Sequence, residues 1–187
     1  MVVLARRQLL LVYLKKKHNC LPMQPKPKNL LLTILWAGLF VGYLDITSAI
    51  INFMFNSDKS PVLIFNYIAS AAFGKERAYS ESSMVAYGVL FHFIVAYSFT
   101  IFFFLVYPYL NFLSKSRLLT GILYGCFIWC VMNLVVVPNT YISKYPPMVA
   151  KTLIQVGILI VAIGIPLSYI AYWFYKGNVE KRNVALT

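Results

Sequence analysis

The sequence predicts an all-α polytopic membrane protein: an up-down four-helix transmembrane bundle with a short periplasmic-side helix, interfacial or re-entrant, near residues 61–73. The first observation is composition, since 60% of the 187 residues are hydrophobic and the mean hydropathy is +0.73. The second is a set of four apolar stretches, each long enough for the roughly 20 helical residues that cross a bilayer. They are Leu30–Phe55, Met84–Tyr107, Leu118–Val137 and Val149–Tyr175. Because the backbone must bond to itself in hydrocarbon, each stretch is expected to be a helix.

The third observation is the distribution of basic residues. The chain carries 17 Lys and Arg but only 5 Asp and Glu. Twelve of the basic residues precede the first stretch, lie between the second and third, or follow the fourth, and the other five lie on the opposite side. This positive-inside pattern predicts that both termini are cytoplasmic. Since topology accounts for the net charge of +12, the expected partner is the lipid bilayer, and no nucleic acid is expected.

Three regions follow from this pattern. Residues 1–28 form a basic cytoplasmic amino-terminal segment, residues 29–176 the four-helix transmembrane domain, and residues 177–187 a cytoplasmic tail. The apolar run Leu9–Leu14 is too short to span and precedes no small-residue cleavage site, so a removable signal peptide is not expected. Two interpretations of the first segment stay open. Translation begins at Met23, or the segment is an interfacial helix with its basic residues at the lipid headgroups.

The connection after the first stretch contains a predicted helix of its own. Ser60 is a capping hydroxyl, Pro61 suits the first helical position, and Gly74 suits the stop. The residues between them are apolar on nearly every side and too few to cross a bilayer, which favours a helix packed on the bundle or dipped into it. The other two connections are short, so consecutive spans are expected to be antiparallel neighbours.

The first stretch contains Asp45, a carboxylate that costs roughly 2.5–3.5 kcal/mol near the middle of a membrane span. Such a residue usually faces protein or a water-filled cavity. Asp45 shares one helical face with Gly38, Gly42, Ala49 and Asn52. Small residues four apart allow close helix packing, so this face is expected to meet protein. The third stretch has a matching packing pair, Gly121 and Gly125.

Polar residues of all four stretches are predicted at similar depth, in the outer half of the bundle. The candidate ligand, ion or proton site comprises Asp45, His92, Asn133, Asn52 and Gln155. We expect Asp45 and His92 to approach each other, because pairing offsets the burial of a charge. The alternative is that these groups only join helices, at roughly 0.6 kcal/mol per contact.

Few catalytic patterns fit the chain. Cys126 and Cys130 lie toward the cytoplasmic half, away from His92, so no metal site is predicted. Phosphate-binding, nucleophile-elbow and zinc-protease motifs are absent from the sequence. No catalytic residues are assigned, a serine hydrolase built from Ser48, His92 and Asp45 is the weakest alternative, and the cofactor is unknown. An enzyme is therefore less expected than a non-enzymatic membrane protein.

Several segments together resemble a group of small bacterial inner-membrane proteins that have four predicted transmembrane helices and no assigned activity. The segments are Gly42-Tyr-Leu-Asp-Ile-Thr47, Ser60-Pro61, Tyr67-Ile-Ala-Ser70, Gly74, Gly88-Val-Leu-Phe-His-Phe-Ile-Val-Ala96, Gly121-Ile-Leu-Tyr-Gly125, Met132-Asn133 and Val137-Pro138. The resemblance covers roughly residues 30–140. It implies a multi-pass protein of the bacterial inner membrane, and it brings no substrate, cofactor or reaction.

Two functions remain as hypotheses. The first is a small transport module, or a ligand- or ion-binding module, with a polar cluster on the outward side. The alternative is a non-catalytic accessory or assembly subunit of a larger membrane complex. Four helices make a thin wall for a pore, so a homo-oligomer or a membrane complex is expected in either case.

Overall fold

The computed structural model describes residues 27–109, 116–141 and 149–184, and every regular element in these ranges is helical. The α-helices are α1 (Pro27–Asn56), α2 (Val62–Phe73), α3 (Lys75–Ser80), α4 (Met84–Val106), α5 (Arg117–Val131), α6 (Val149–Leu159) and α7 (Ile165–Val184). Two π-helical turns, Met132–Val136 and Ile160–Gly164, and two 3₁₀ turns, Tyr107–Tyr109 and Val137–Asn139, extend them. The interpretations of the first 26 residues lie outside the described ranges, as does most of each short connection.

Four of the helical runs are long and apolar enough to cross a membrane, so the prediction of four such helices is confirmed. The first and second spans are Asn29–Asn56 and Met84–Tyr109. The third and fourth, Arg117–Asn139 and Lys151–Lys176, each contain a π-helical turn. These four helices are compatible with an integral membrane protein. The direction in which they cross a membrane stays a prediction.

The spans form two antiparallel hairpins. In the first hairpin, the Tyr97 hydroxyl of the second span donates to the Leu35 carbonyl of the first at 3.0 Å. In the second hairpin, the Ser168 hydroxyl of the fourth span donates to the Arg117 carbonyl of the third at 2.9 Å. In the first hairpin, His92 precedes Tyr97 along the second span while its partner Gly42 follows Leu35 along the first. In the second hairpin, the start of the third span meets the later half of the fourth. We call the spans 1–2 pair the first hairpin and the spans 3–4 pair the second hairpin.

A buried aromatic and aliphatic core joins the two hairpins at one end of the bundle. Tyr124 donates to the Phe99 carbonyl at 2.6 Å, and Tyr175 donates to the Phe104 carbonyl at 2.7 Å. Both bonds run between the hairpins. The remaining buried members of this core are Ile34, Ala37, Val41, Phe103, Tyr107, Ile128, Ala162, Ile163, Leu167 and Ala171. They come from all four spans, so this end of the bundle is closed by packing.

Helix α2 lies at the opposite end, which we call the α2 end. Its first turn differs from the prediction, because no side chain caps it. Instead the Ser60 carbonyl accepts the Leu63 N–H at 3.1 Å, since Pro61 is already helical at φ −59°. The predicted stop is confirmed. Gly74 adopts φ +78°, and its N–H closes the helix on the Ser70 carbonyl.

Helix α2 packs chiefly on the beginning of the second span. A side chain at Gly88 would collide with the Phe65 backbone, so only glycine permits this approach. The Phe73 ring packs edge-on against Tyr87, with centroids 5.3 Å apart. The helix also contacts the second hairpin. The N–H of Tyr141, two residues beyond the end of the third span, donates to the Ala71 carbonyl of α2 at 3.2 Å. It is therefore fixed to both hairpins at this end.

Candidate functional site

A cavity of about 440 Å³ lies at the α2 end, between the first, third and fourth spans. Four of the five predicted site residues line it: Asp45, Asn52, Asn133 and Gln155. Ile64 of α2 lies at its border. The structure therefore brings these four side chains to one cavity.

One face of α1 has two different neighbours along its length. Early in the helix, Gly38 and Gly42 lie against the Tyr97 and Phe93 rings of the second span. Further along the same face, Asp45 and the residues one and two turns beyond it line the cavity. The glycines therefore allow the close approach of the second span, and the wall of the cavity begins where that approach ends.

His92 is the predicted site residue that does not line the cavity. Its Nε2 donates to the Gly42 carbonyl at 2.9 Å. His92 is close enough to Asp45 for an electrostatic interaction, but among the described residues the two form no hydrogen bond or direct ion pair. The two side chains therefore approach each other, as predicted, without a direct pair, and His92 makes a backbone contact instead. The reason is the register of the antiparallel spans, which puts His92 level with Gly42, nearly one turn before Asp45.

The amides at the cavity bond within their own helices. Asn56 donates from Nδ2 to the Asn52 side-chain oxygen at 3.2 Å and to the Asn52 carbonyl at 2.7 Å. Asn133 donates from Nδ2 to the Trp129 carbonyl at 3.0 Å, which leaves its side-chain oxygen without a bond to the described residues. Each of these bonds fixes an amide in place without joining two spans.

Sequence analysis missed three polar residues of the cavity wall, namely Asn56, Trp129 and Lys151. Each lies four residues from a predicted candidate in the same span, on the same helical face. That spacing is the signal that would have identified them. Trp129 is the most informative of the three, because its buried Nε1–H has no hydrogen-bond partner among the described residues.

The first π-helical turn contributes Met132 and Asn133 to the cavity wall, and the second begins directly after Leu159, another wall residue. Both turns stand in the same relation to a proline. The turn Met132–Val136 ends two residues before Pro138, and Ile160–Gly164 ends two residues before Pro166. Proline lacks the N–H that an α-helix needs, and its ring crowds the carbonyl four residues earlier. Local rearrangement to π geometry relieves both problems. Such turns are frequent at functional sites, and Asn133 belongs to the first of them.

A second cavity, of about 350 Å³, lies between the second and third spans. Its wall is almost entirely apolar and aromatic, and Thr120 is its one polar residue. None of the predicted site residues lines it. The Tyr124 and Phe103 rings in its wall contact each other, with centroids 4.5 Å apart. The predicted site residues that line a cavity are therefore all at the α2 end.

The carboxylates, histidine and thiols do not gather around one point. Within residues 27–109, 116–141 and 149–184, no group of three or more His, Cys, Asp and Glu side chains is placed to hold a metal ion. The cavity instead offers one carboxylate, several amides, an indole and an ammonium group.

The fold and the cavity define a class of protein rather than an individual one. The class is a helical protein compatible with a multi-pass membrane location, with a cavity between its candidate spans whose largely apolar wall carries several polar side chains. Comparison of the chain with protein-family models, with curated proteins and with solved structures gives no match.

Proposed function

We propose that this chain is a multi-pass protein of a bacterial inner membrane, with both termini in the cytoplasm, and that it is a small transport module or a ligand- or ion-binding module. In this orientation the α2 end faces outward, and the cavity there receives a small ligand or ion. The asymmetry of basic residues supports the orientation. The cavity lined by Asp45, Asn52, Asn133 and Gln155 supports the function.

The pattern of hydrogen bonds favours a site over simple joining of helices. Polar residues that join helices bond from one helix to another. The structure has several such bonds, for example from Tyr124 to the Phe99 carbonyl, but in the described ranges none of them comes from a residue that lines this cavity. Around the cavity, the bonds found in these ranges stay within one span. The described residues leave the remaining donors and acceptors of these side chains without a bond, so these groups can bind a ligand or water.

Labelling of a cysteine inside the cavity tests this proposal. The chain carries Cys20, Cys126 and Cys130, so a cysteine-free variant is the starting point. Ala49→Cys then places a thiol on the cavity wall. Tyr43→Cys is the matched control on the same helix, since Tyr43 is 62% exposed on the outside of the bundle and would face lipid.

In right-side-out membrane vesicles, iodoacetamide is expected to label Ala49→Cys and to leave Tyr43→Cys unmodified. A thiolate reacts only where water and reagent reach it. An Ala49→Cys thiol that stays unlabelled, in vesicles where Ser80→Cys is labelled, would show that the cavity is closed or dry. That result would overturn the proposal.

We also expect self-association or a place in a larger membrane complex, because the cavity is bordered by only three of the four spans. The particle mass after mild detergent extraction from native membranes measures this. A discrete homo-oligomer agrees with a transport or binding module that acts by itself. Co-purifying different subunits would favour the accessory role instead.

A further inference from the structure

We infer that the cavity selects a small organic cation, whose ammonium group lies next to Asp45 and whose apolar body lies against the neighbouring side chains. This inference rests on the proposed function and adds the chemical class of the ligand. The supporting observation is the wall of the cavity, which combines apolar and aromatic surface with a carboxylate that has no hydrogen bond or direct ion pair among the described residues.

Asp45 has the environment of a cation-binding carboxylate. It lines the cavity, and no hydrogen bond or ion pair to it is found in the described part of the chain. The Nε2–H of His92 is directed to the Gly42 carbonyl and is therefore not available to Asp45. A carboxylate in such a place is normally paired or bound to a cation, so a ligand with positive charge completes the site.

The dimensions of the cavity favour an organic cation over a bare inorganic ion. The volume of about 440 Å³ far exceeds the roughly 30 Å³ that a single water molecule occupies in the liquid. An inorganic ion would need several oxygen atoms in a close cage, whereas the Asp45 carboxylate and the amide groups of the wall come from three spans around a cavity of this size. Met132, Phe53 and Leu159 also line the cavity, and they present apolar surface that a hydrocarbon body would bury.

Trp129 adds a feature that suits an amine. Trp129 lines the cavity, and an ammonium group near the face of an indole ring is attracted by the ring's quadrupole. The Nε1–H of Trp129 is buried, so the ring rather than its N–H is what the side chain offers to a ligand.

Lys151 does not cancel the attraction of Asp45. Lys151 is the first residue of the fourth span and is exposed. It therefore lies at the mouth of the cavity, where Asn56 ends the first span. From Asp45 to Asn56 is 11 helical residues, about 16 Å along the axis. Solvent and salt screen the exposed Lys151 charge far more than they screen a partly buried charge, so the deep part of the cavity is governed by Asp45.

The test measures the charge preference at the Ala49→Cys thiol in the cysteine-free variant. One helical turn separates residue 49 from Asp45, and the Cβ atoms of residues four apart on a helix are about 5–6 Å from each other. Trimethylammonioethyl methanethiosulfonate is the cationic reagent, and the sulfonatoethyl compound is the anionic one. Their rates are each divided by the rate with free cysteine. We expect the cationic reagent to be favoured by about tenfold or more, because opposite charges attract at this distance and like charges repel.

Two variants and a competitor complete the experiment. Asp45→Asn is expected to abolish the preference, and Asp45→Glu, which restores the charge, to keep it. In the Ala49→Cys variant that keeps Asp45, ethanolammonium chloride is expected to slow the modification of the thiol. Sodium chloride at the same concentration is expected to leave the rate unchanged.

The outcomes separate the two proposals. A thiol that iodoacetamide labels, but that reacts equally with both charged reagents, overturns the cation inference and leaves the aqueous cavity in place. A preference that survives in Asp45→Asn overturns the role of Asp45. Equal protection by sodium, or no protection by ethanolammonium, overturns the organic class. An Ala49→Cys thiol that neither the charged reagents nor iodoacetamide modifies would instead overturn the proposed function.

Discussion

Gly125 of the third span lies directly against the backbone of Ile160, the residue at which the π-helical turn of the fourth span begins. A Cβ atom built on Gly125 would be 2.7 Å from the Ile160 Cα and 2.9 Å from its nitrogen. Gly121 meets Ile165 in the same way, with a Cβ-to-Cα distance of 2.8 Å. The two backbones therefore touch along the whole length of the π-helical turn, which fixes the fourth span onto the third.

Gly125→Ala is expected to destabilise the protein by about 1–3 kcal/mol, the usual effect of adding volume to a packed contact. Backbone atoms cannot move aside as the end of a side chain can, so the fourth span must shift. Thermal unfolding in detergent measures the loss.

The control for this change is Gly157→Ala. Gly157 has no heavy atom within 4 Å of its built Cβ, and alanine is preferred over glycine in a helix by up to about 1 kcal/mol. We expect this variant to be as stable as the parent or slightly more stable. Equal unfolding temperatures for the two alanine variants would contradict the close contact.

His92→Leu tests the bond between the first two spans. The substitution removes the donor to the Gly42 carbonyl and puts an apolar side chain of similar size in its place. The expected loss of stability is about 0.6 kcal/mol and at most about 1.7 kcal/mol. Ser98→Ala is the matched control, because the Ser98 hydroxyl bonds only to Ile94 of its own helix. The prediction fails if both changes shift the unfolding midpoint equally.

Tyr175→Phe tests the buried core between the hairpins. The Tyr175 side chain is 2% exposed, and its hydroxyl donates to the Phe104 carbonyl. We expect a loss of about 0.6–1.7 kcal/mol. Tyr169→Phe, at a residue that is 40% exposed, should change the stability little. Equal unfolding temperatures for Tyr175→Phe and Tyr169→Phe would show that the bond from Tyr175 to the Phe104 carbonyl does not stabilise the fold.

The orientation of the bundle can be measured at two serines. Ser80 and Ser116 are both exposed and lie at opposite ends of the bundle. In intact cells, a membrane-impermeant thiol reagent should label Ser80→Cys, and it should reach Ser116→Cys only after the membrane is broken. The reverse pattern would mean that the chain inserts with its termini outside, contrary to the positive-inside rule.

The sequence predicted the helices well because their signals are local. The four apolar stretches match the four candidate spans to within a few residues, and Pro61 and Gly74 mark the ends of α2. The short helix α3 was not predicted, since its six residues carry little periodicity. The cap of α2 was mistaken for a side-chain bond, because a serine before a proline usually supplies one.

The partners of the polar residues were harder to predict, because they depend on the register between spans. The shared face of Asp45 and Asn52 was readable from helical spacing. That His92 would meet the Gly42 carbonyl depends on how far the two spans slide along each other. A residue such as Trp129 carries no polar signal in an apolar stretch, and its unpartnered Nε1–H is visible only in three dimensions.

The packed core at one end of the bundle has a mechanical consequence. The closest backbone contacts between spans lie inside the second hairpin, at Gly121 and Gly125. Both cavities lie instead at the interface between the two hairpins. At the core end that interface is closed by packed side chains, whereas at the α2 end a backbone hydrogen bond from Tyr141 to the Ala71 carbonyl links α2 to the second hairpin. A change in the angle between the hairpins would therefore displace residues most at the α2 end, where α2 would have to follow. Such a change would alter the space beside Asp45 without disturbing the glycine contacts within each hairpin.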